Sequence, residues 1–194
     1  EGQRYPLQIF GKHNLLNIGA ATKILSRMGH NTGQVYKAIQ SFSGAANRLQ
    51  KLASSDGMSI YKDFAHAPSK VEATVAAVKE QYPERKLVAI LELHTFSSLT
   101  RNFLNQYQQT MQPVDVPVVY FNPQMITRRQ LEPFDKDDIK EAFGQDNLVV
   151  IDNKEELQDF LLKIDKNEVN LLLMSSGNFD GIDMTSLTEK IISS

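Results

Sequence analysis

Side chains that can hold a substrate or move a proton gather at four places in this chain. Gly11-Lys12-His13-Asn14, with Asn17, comes just before a helical stretch, where free backbone N–H groups can hold a nucleotide edge or an anion. Asp63-Phe64-Ala65-His66-Ala67-Pro68 carries a carboxylate and an imidazole in a loop restrained by Pro68. Glu92, His94 and Thr95 follow one apolar run, and Ser175, Ser176, Gly177, Asn178 and Asp180 follow another. A plain helix cap or an ordinary polar loop competes with each reading taken alone. Three runs that deliver polar residues to one edge are a better signal than any single motif.

Other chemistries are excluded or lack their motifs. The chain has no Cys, which removes disulfides, thiolate catalysis and Cys-ligated zinc. Its four histidines, at 13, 30, 66 and 94, show no metal-ligand spacing, and Glu92 with His94 is too little for a metal site. No G-x-x-x-x-G-K-[ST] loop, no G-x-G-x-x-G after the Met58 strand and no G-x-S-x-G elbow occurs. Ser176-Gly177-Asn178-Phe179-Asp180-Gly181 is like a phosphate-cradling loop in composition only.

The elements that must position these residues follow from periodicity. A short strand is expected at Tyr5–Phe10, then helices at Leu15–Met28 and Gly33–Phe42, with Gly29 as a left-handed cap and Thr32 as N-cap. Strands at Leu49–Ala53 and Met58–Phe64 are joined by a turn with Asp56-Gly57. Beyond them the pattern alternates. Helices are expected at Lys70–Gln81, Phe103–Met111, Asp137–Phe143, Lys154–Ile164 and Thr185–Ile192. Strands are expected at Leu87–Leu93, Val116–Phe121, Leu148–Ile151 and Val169–Met174, with loop and short turns over Asn122–Lys136. Leu87–Leu91 and Leu171–Met174 are continuous apolar runs, as strands buried on both faces require. The expected fold is therefore α/β, a doubly wound, mostly parallel sheet with helices on both faces. The first 50 residues do not complete a domain, and a boundary is expected near Arg48–Lys51.

Composition agrees with a globular chain. Its 194 residues are 41% hydrophobic, and a chain of that size buries about 70% of its unfolded surface. With 21 basic and 23 acidic residues the formal charge is -2, which argues against a non-specific nucleic-acid binder. No apolar run approaches the ~18 residues of a membrane span. The start, Glu1-Gly2-Gln3-Arg4, has no apolar signal region and no initiator Met, as expected of a processed or excised chain.

Three blocks, taken in order, resemble the Mur ligases, ATP-dependent amide-forming enzymes of peptidoglycan precursor synthesis. G-x-H-N-x-x-N-x-x-A-A appears as Gly11 to Ala21, F-x-G-x-x-x-R as Phe42, Gly44 and Arg48, and D-x-A-H-x-P as Asp63 to Pro68. The resemblance implies that residues 1–49 are the end of the central ATP-binding domain and that 50–194 are the C-terminal domain, which binds the amino acid or peptide. It implies a cytoplasmic bacterial enzyme. It places Asn14 or Asn17 near adenine with His13 beside them, Arg48 on the nucleotide and Asp63 on the ribose hydroxyls. His66 would stand in the cleft where the domains close. His94, Thr95, Ser97 and Ser98 would line the incoming peptide's site, with Ser176, Gly177 and Asn178 meeting its carboxylate.

Two branches of the family attach material directly to UDP-N-acetylmuramate. One adds L-alanine; the other, a recycling branch, adds the tripeptide L-alanyl-γ-D-glutamyl-meso-diaminopimelate. Leu93–Thr100 and Met174–Ile182 are more similar to the recycling branch. The chemistry implied is phosphorylation of the muramyl carboxylate by ATP with Mg2+, then attack of the peptide amine on the acyl phosphate. Because the P-loop and magnesium region are absent, no catalytic or metal residue is expected here, and this chain alone should be inactive. The family's usual H-H-P is His66-Ala67-Pro68 here, and its paired basic residues are Asn47-Arg48, so Ala67 and Asn47 bring no charge. Another Mur-type or folylpolyglutamate-like ligase and a stand-alone binding module are the competing readings.

Overall fold

The computed structural model describes residues 3–193. Glu1, Gly2 and Ser194, and with them the chain start and the outer ends of the two expected domains, lie outside the described residues. The chain opens in an irregular stretch and then forms α1 (Lys12–Arg27) and α2 (Thr32–Ile39). Next come β1 (Gln50–Ser54), β2 (Met58–Asp63), α3 (Pro68–Gln81), β3 (Lys86–Leu93) and α4 (Arg101–Leu104). β4 (Val116–Phe121), α5 (Pro123–Arg128), α6 (Lys136–Phe143) and β5 (Val149–Ile151) follow. α7 (Lys154–Leu162), β6 (Val169–Met174) and α8 (Met184–Ser193) complete the order.

Among the described residues the strands form one six-stranded sheet in the order β1-β2-β6-β3-β4-β5. β1 and β2 are an antiparallel hairpin; all other pairings are parallel. Gly57 in the hairpin turn has a steric reason, since a Cβ there would lie 2.8 Å from the Lys166 carbonyl oxygen. One face of the sheet carries a core with Val71, Val75 and Val78 of α3, Leu104, Ile126, Ile139 and Phe143. The other face packs on Leu157 and Leu161 of α7 and on Met184, Leu187 and Ile191 of α8. β3 and β6, the two central strands, are covered on both sides, which is why they are apolar nearly throughout. Each buried Leu or Ile there contributes roughly 1.5–3 kcal/mol.

This layout sets where a ligand can sit. The chain leaving β3 runs toward β4, whereas the chain leaving β6 leads into α8, which packs back over β1. Connections that diverge from neighbouring parallel strands open a crevice at their carboxyl ends. Glu92, His94 and the 175–181 loop occupy that crevice.

Several expectations are corrected. Tyr5–Phe10 is not a strand: no described segment pairs with it, and its aromatics instead pack on neighbours, Tyr5 on Tyr36 and Phe10 edge-on to Tyr61 and Tyr82. α1 begins at Lys12 rather than Leu15, so His13 and Asn14 lie in its first turn. Asn31, not Thr32, caps α2, accepting from the Gly33 and Gln34 N–H groups. The helix expected over Phe103–Met111 ends at Leu104 and tightens into a 3-10 turn at Asn105–Tyr107, and Gln109 then turns left-handed at φ 59°. The expected loop over Asn122–Lys136 holds α5, started by the Asn122 side chain on Gln124 N–H and by Pro123 in the first turn. Gly29 does adopt the left-handed cap, at φ 91°.

Candidate functional site

Two groups of polar side chains stand side by side along the carboxyl edge of the sheet. The first surrounds a cleft of about 660 Å³ between α1, α2 and the 45–48 turn on one side and β2 and α3 on the other. His13, Asn14, Asn17, Arg48 and Asp63 all line it, so five residues expected to bind a nucleotide converge from three distant parts of the sequence. Ile9, Ile18, Ala21, Ile39 and Phe42 give it an apolar wall. Lys70 and Thr74 of α3 also line it and were not foreseen. Thr74 is one of the residues that, by resemblance, commonly follow the Asp63–Pro68 block, whereas Lys70 carries no such signal.

The residues differ in how free they are. Asn14 donates through Nδ2 to the Phe10 carbonyl at 2.7 Å, which ties the first turn of α1 to the preceding stretch. Asn17 is exposed. The Arg48 guanidinium lies over the Phe64 ring at 5.6 Å and has no carboxylate partner among the described residues, which leaves it available to an anion.

Asp63 departs from the expectation. It is buried, and both oxygens are already engaged: Oδ2 accepts Leu49 N–H at 2.7 Å, and Oδ1 accepts Ala65 N–H at 2.7 Å and the Thr74 hydroxyl at 3.4 Å. Through Leu49 it clamps the end of the linker between α2 and β1 onto the end of β2. That linker needs a clamp, because Asn47 (φ 56°) and Leu49 (φ 44°) are both left-handed, a conformation costing roughly 1–2 kcal/mol for a residue with a Cβ.

His66 is not among the residues lining this cleft; it sits beyond Asp63 on the same edge. Its Nδ1 is 2.8 Å from the Phe64 carbonyl, its ring meets Phe64 edge-on, and its own carbonyl accepts the Tyr107 hydroxyl. Burial pushes the Tyr107 hydroxyl well above the phenol range, so it stays a donor and fixes the loop.

The second group joins the 94–98 and 175–181 loops. His94 and Gly177 meet face to face, and a Cβ on Gly177 would lie 2.6 Å from ring atoms of His94. Thr95 and Ser97 are accessible, with hydroxyls 3.2 Å apart. Ser98 is buried, donates to the Thr95 carbonyl at 3.1 Å and accepts the Thr95 hydroxyl at 2.9 Å, so its hydroxyl is engaged in building the turn. The Asn178 side chain accepts Gly181 N–H at 3.2 Å, shaping its own loop. The Ser176 hydroxyl oxygen is buried without a hydrogen-bond partner.

Beneath these loops lie residues that sequence reasoning left unassigned. Glu92 is buried; its Oε2 accepts the Ser175 hydroxyl and Phe179 N–H at 3.0 Å, and its Oε1 is 3.5 Å from His94 Nδ1. Asp180 Oδ2 accepts the Tyr120 hydroxyl and Asn122 Nδ2 at 2.8 Å. Burial, and then the Asp180 carboxylate, push the Tyr120 hydroxyl far above the phenol range, so it too remains a donor. Phe179 (φ 51°) and Asp180 (φ 52°) are successive left-handed residues, and these bonds hold them there. Tyr120 had no signal in sequence, since it reads as one more core position of β4.

The family profile described as "Mur ligase, glutamate ligase domain" matches residues 47–177, about two thirds of the chain. The chain belongs to the Mur ligase family. A UDP-N-acetylmuramate–L-alanine ligase of Caldicellulosiruptor bescii is 36% identical over 113 residues, covering 58% of this chain and 24% of its own length. The UDP-N-acetylmuramate–alanine ligase of Thermotoga maritima superposes with a TM-score of 0.72 at 18% identity, over 99% of this chain and 40% of that one. The murein peptide ligase of Psychrobacter arcticus gives 0.64 at 20% identity, over 96% and 38%. At such identities the superpositions speak for the Mur ligase fold alone. This Mur ligase chain spans 17–38% of the length of curated relatives that it matches. No described helix is long and apolar enough to cross a membrane.

Proposed function

We propose that this chain is the carboxy-terminal part of an ATP-dependent ligase that joins L-alanyl-γ-D-glutamyl-meso-diaminopimelate to UDP-N-acetylmuramate in peptidoglycan recycling. The observation that carries the ligase reading is the first cleft, where three separated family motifs meet around one space of nucleotide size. Residues 1–49 would be the end of the central ATP-binding domain and 50–194 the acceptor-binding domain. The exposed Leu15, Leu16 and Ile24 of α1, with Met28 at its C-cap, support this division, because a helix with that much bare apolar surface is suited to packing against further chain.

The residues present suit part of a nucleotide site. The apolar wall with Asn17 beside it can take a purine, and the unpaired Arg48 can meet phosphate. Bound ATP would supply the phosphoryl group that activates the muramyl carboxylate. The described residues include no group of three or more His, Asp or Glu side chains able to hold a metal ion, so no magnesium role is assigned to them. This chain's own contribution would be to orient the incoming peptide through the 94–98 and 175–181 loops and to exclude water when the domains close. The chain alone is expected to form no amide.

A second reading, addition of L-alanine, is favoured by the names of the curated relatives. A product assay separates the two. Native-length protein receives ATP, magnesium and UDP-N-acetylmuramate with either the tripeptide or L-alanine, and mass spectrometry reads the product, with this chain as the control. Preference for the tripeptide is the expected result. Preference for L-alanine overturns the recycling assignment and leaves the ligase reading standing. Amide product from this chain alone overturns its expected inactivity.

A further inference from the structure

We infer that Glu92 is the positioning residue of the acceptor site: it holds His94 in the Nδ1–H tautomer and pins the 175–179 loop against the ring, so that Nε2 is presented as a hydrogen-bond acceptor. The role given to Nε2 rests on the acceptor-site reading above; the tautomer does not. Glu92 lies at the carboxyl end of β3, 3% exposed. A carboxylate so deep needs donors to offset its desolvation. On Oε2 it has the Ser175 hydroxyl and the Phe179 N–H at 3.0 Å. Oε1 faces His94 Nδ1 at 3.5 Å, long for a hydrogen bond but well within reach of electrostatic orientation, and of a kind that shortens when a site fills.

A negative charge beside Nδ1 favours a proton there, which leaves the lone pair on Nε2. The ring is walled on one side. Gly177 is packed on it so closely that a Cβ would sit 2.6 Å from Cγ and Nδ1, and Gly177 itself is held by its N–H on Ser175 Oγ at 2.7 Å. One buried carboxylate therefore fixes both walls of the site. The His94 side chain is 31% exposed, and Nε2 bonds no protein group among the described residues. It is free for an N–H of an incoming peptide.

The test reads the tautomer directly. Long-range 1H–15N spectra of this chain labelled on histidine, taken where His94 is neutral, should show a protonated Nδ1 and a bare Nε2. Glu92→Gln should reverse this. Its carbonyl oxygen must accept from Ser175 and Phe179, which turns its NH2 toward Nδ1 and forces the proton to Nε2. Ser175→Ala keeps the charge and should keep the wild-type tautomer. Gly177→Ala should displace the ring and abolish the bias. Nε2–H in the wild type overturns the inference without need of any variant, as does a folded Glu92→Gln chain with unchanged tautomer. In the native-length enzyme, Glu92→Gln should raise KM for the acceptor about tenfold, one hydrogen bond's worth, and leave KM for ATP unchanged. Equal rises in both would make Glu92 merely structural and overturn the role. Absence of any ligase activity in the wild type would overturn the proposed function instead, with the tautomer result intact.

Discussion

If Asp63 is the clamp between the linker and the sheet, removing its carboxylate must cost stability before it costs any ligand affinity. Asp63→Ala leaves the Leu49 and Ala65 N–H groups, both bonded at 2.7 Å in a buried setting, without acceptors, and frees the Thr74 hydroxyl. An orphaned buried donor costs about 1–3 kcal/mol, so the two amides together imply a loss of roughly 2–6 kcal/mol, a large share of the ~5–15 kcal/mol that holds a domain. Asp63→Asn keeps one acceptor oxygen but turns an NH2 group toward the other amide, which should recover about half of that loss. Urea unfolding of the chain and both variants, followed by far-ultraviolet circular dichroism, measures the ranking. Hydrogen exchange supplies the local check, because the left-handed Asn47 and Leu49 lose their anchor, and amides 43–49 should exchange faster than those of β3. A loss under ~1 kcal/mol for Asp63→Ala would refute the clamp. Asp63 would then be free for a ligand, as its motif first suggested.

Three other outcomes follow from the same geometry. Arg48→Ala should weaken nucleotide binding to the native-length enzyme about tenfold, the loss of one charged hydrogen bond, with the unfolding midpoint nearly unmoved, since Phe64 is its one ring contact; calorimetry reads the first and denaturation the second. Asp115 accepts from Lys79 Nζ and Leu87 N–H, both at 2.7 Å. Burial pulls its carboxyl up, but these bonds hold it below the ordinary value overall. A depressed folded-state pKa stabilises above the unfolded value and is lost as pH falls through the folded one. Asp115→Asn should therefore cost about 0.5–1 kcal/mol near pH 7, discounted for a side chain 40% exposed, and the gap should close below about pH 4 in acid titrations of stability. Ile90→Ala, at a fully buried position of β3, should cost about 2–5 kcal/mol in the same unfolding assay.

What was legible in the sequence was whatever burial dictates. The apolar runs of β3 and β6 announce central parallel strands because a strand covered on both faces has no polar position to alternate with. Tyr5–Phe10 misled because alternation describes one face of a strand and says nothing of a partner edge. α5 was missed because two prolines and a charged stretch look like a loop, although Asn122-Pro123 is itself a start signal. At the site, motif spacing found the five residues that line the first cleft but could not tell a ligand contact from a structural bond. Asp63 and Ser98 are both already engaged by nearby backbone and hydroxyl groups. The partners that matter most for the second group, Glu92 with Ser175 and Tyr120 with Asp180, are 83 and 60 residues apart. Only the β6-β3-β4 strand order brings them together, and no local pattern encodes that order.

The two groups are held at a fixed spacing by bonds that cross the sheet edge. The Asp63 side chain grips the linker at Leu49, while its carbonyl accepts Ser175 N–H at 3.0 Å. Ser175 in turn donates its hydroxyl to Glu92 and accepts Gly177 N–H, and Glu92 faces His94. From the β2 wall of the cleft to the acceptor loops the path runs through hydrogen bonds of largely buried groups, which ties that wall to the loops. A reaction that must bring an activated carboxyl and an amine within about 3–3.5 Å gains most from rigid placement of each. In this chain the placement is a property of the β2-β6-β3 edge. The 43–49 stretch is tied to that edge through Leu49, whose left-handed conformation Asp63 holds. If the proposed division at residue 49 holds, closure would shift the α1–α2 wall of the cleft and leave the acceptor loops, on the β6-β3 edge, undisturbed.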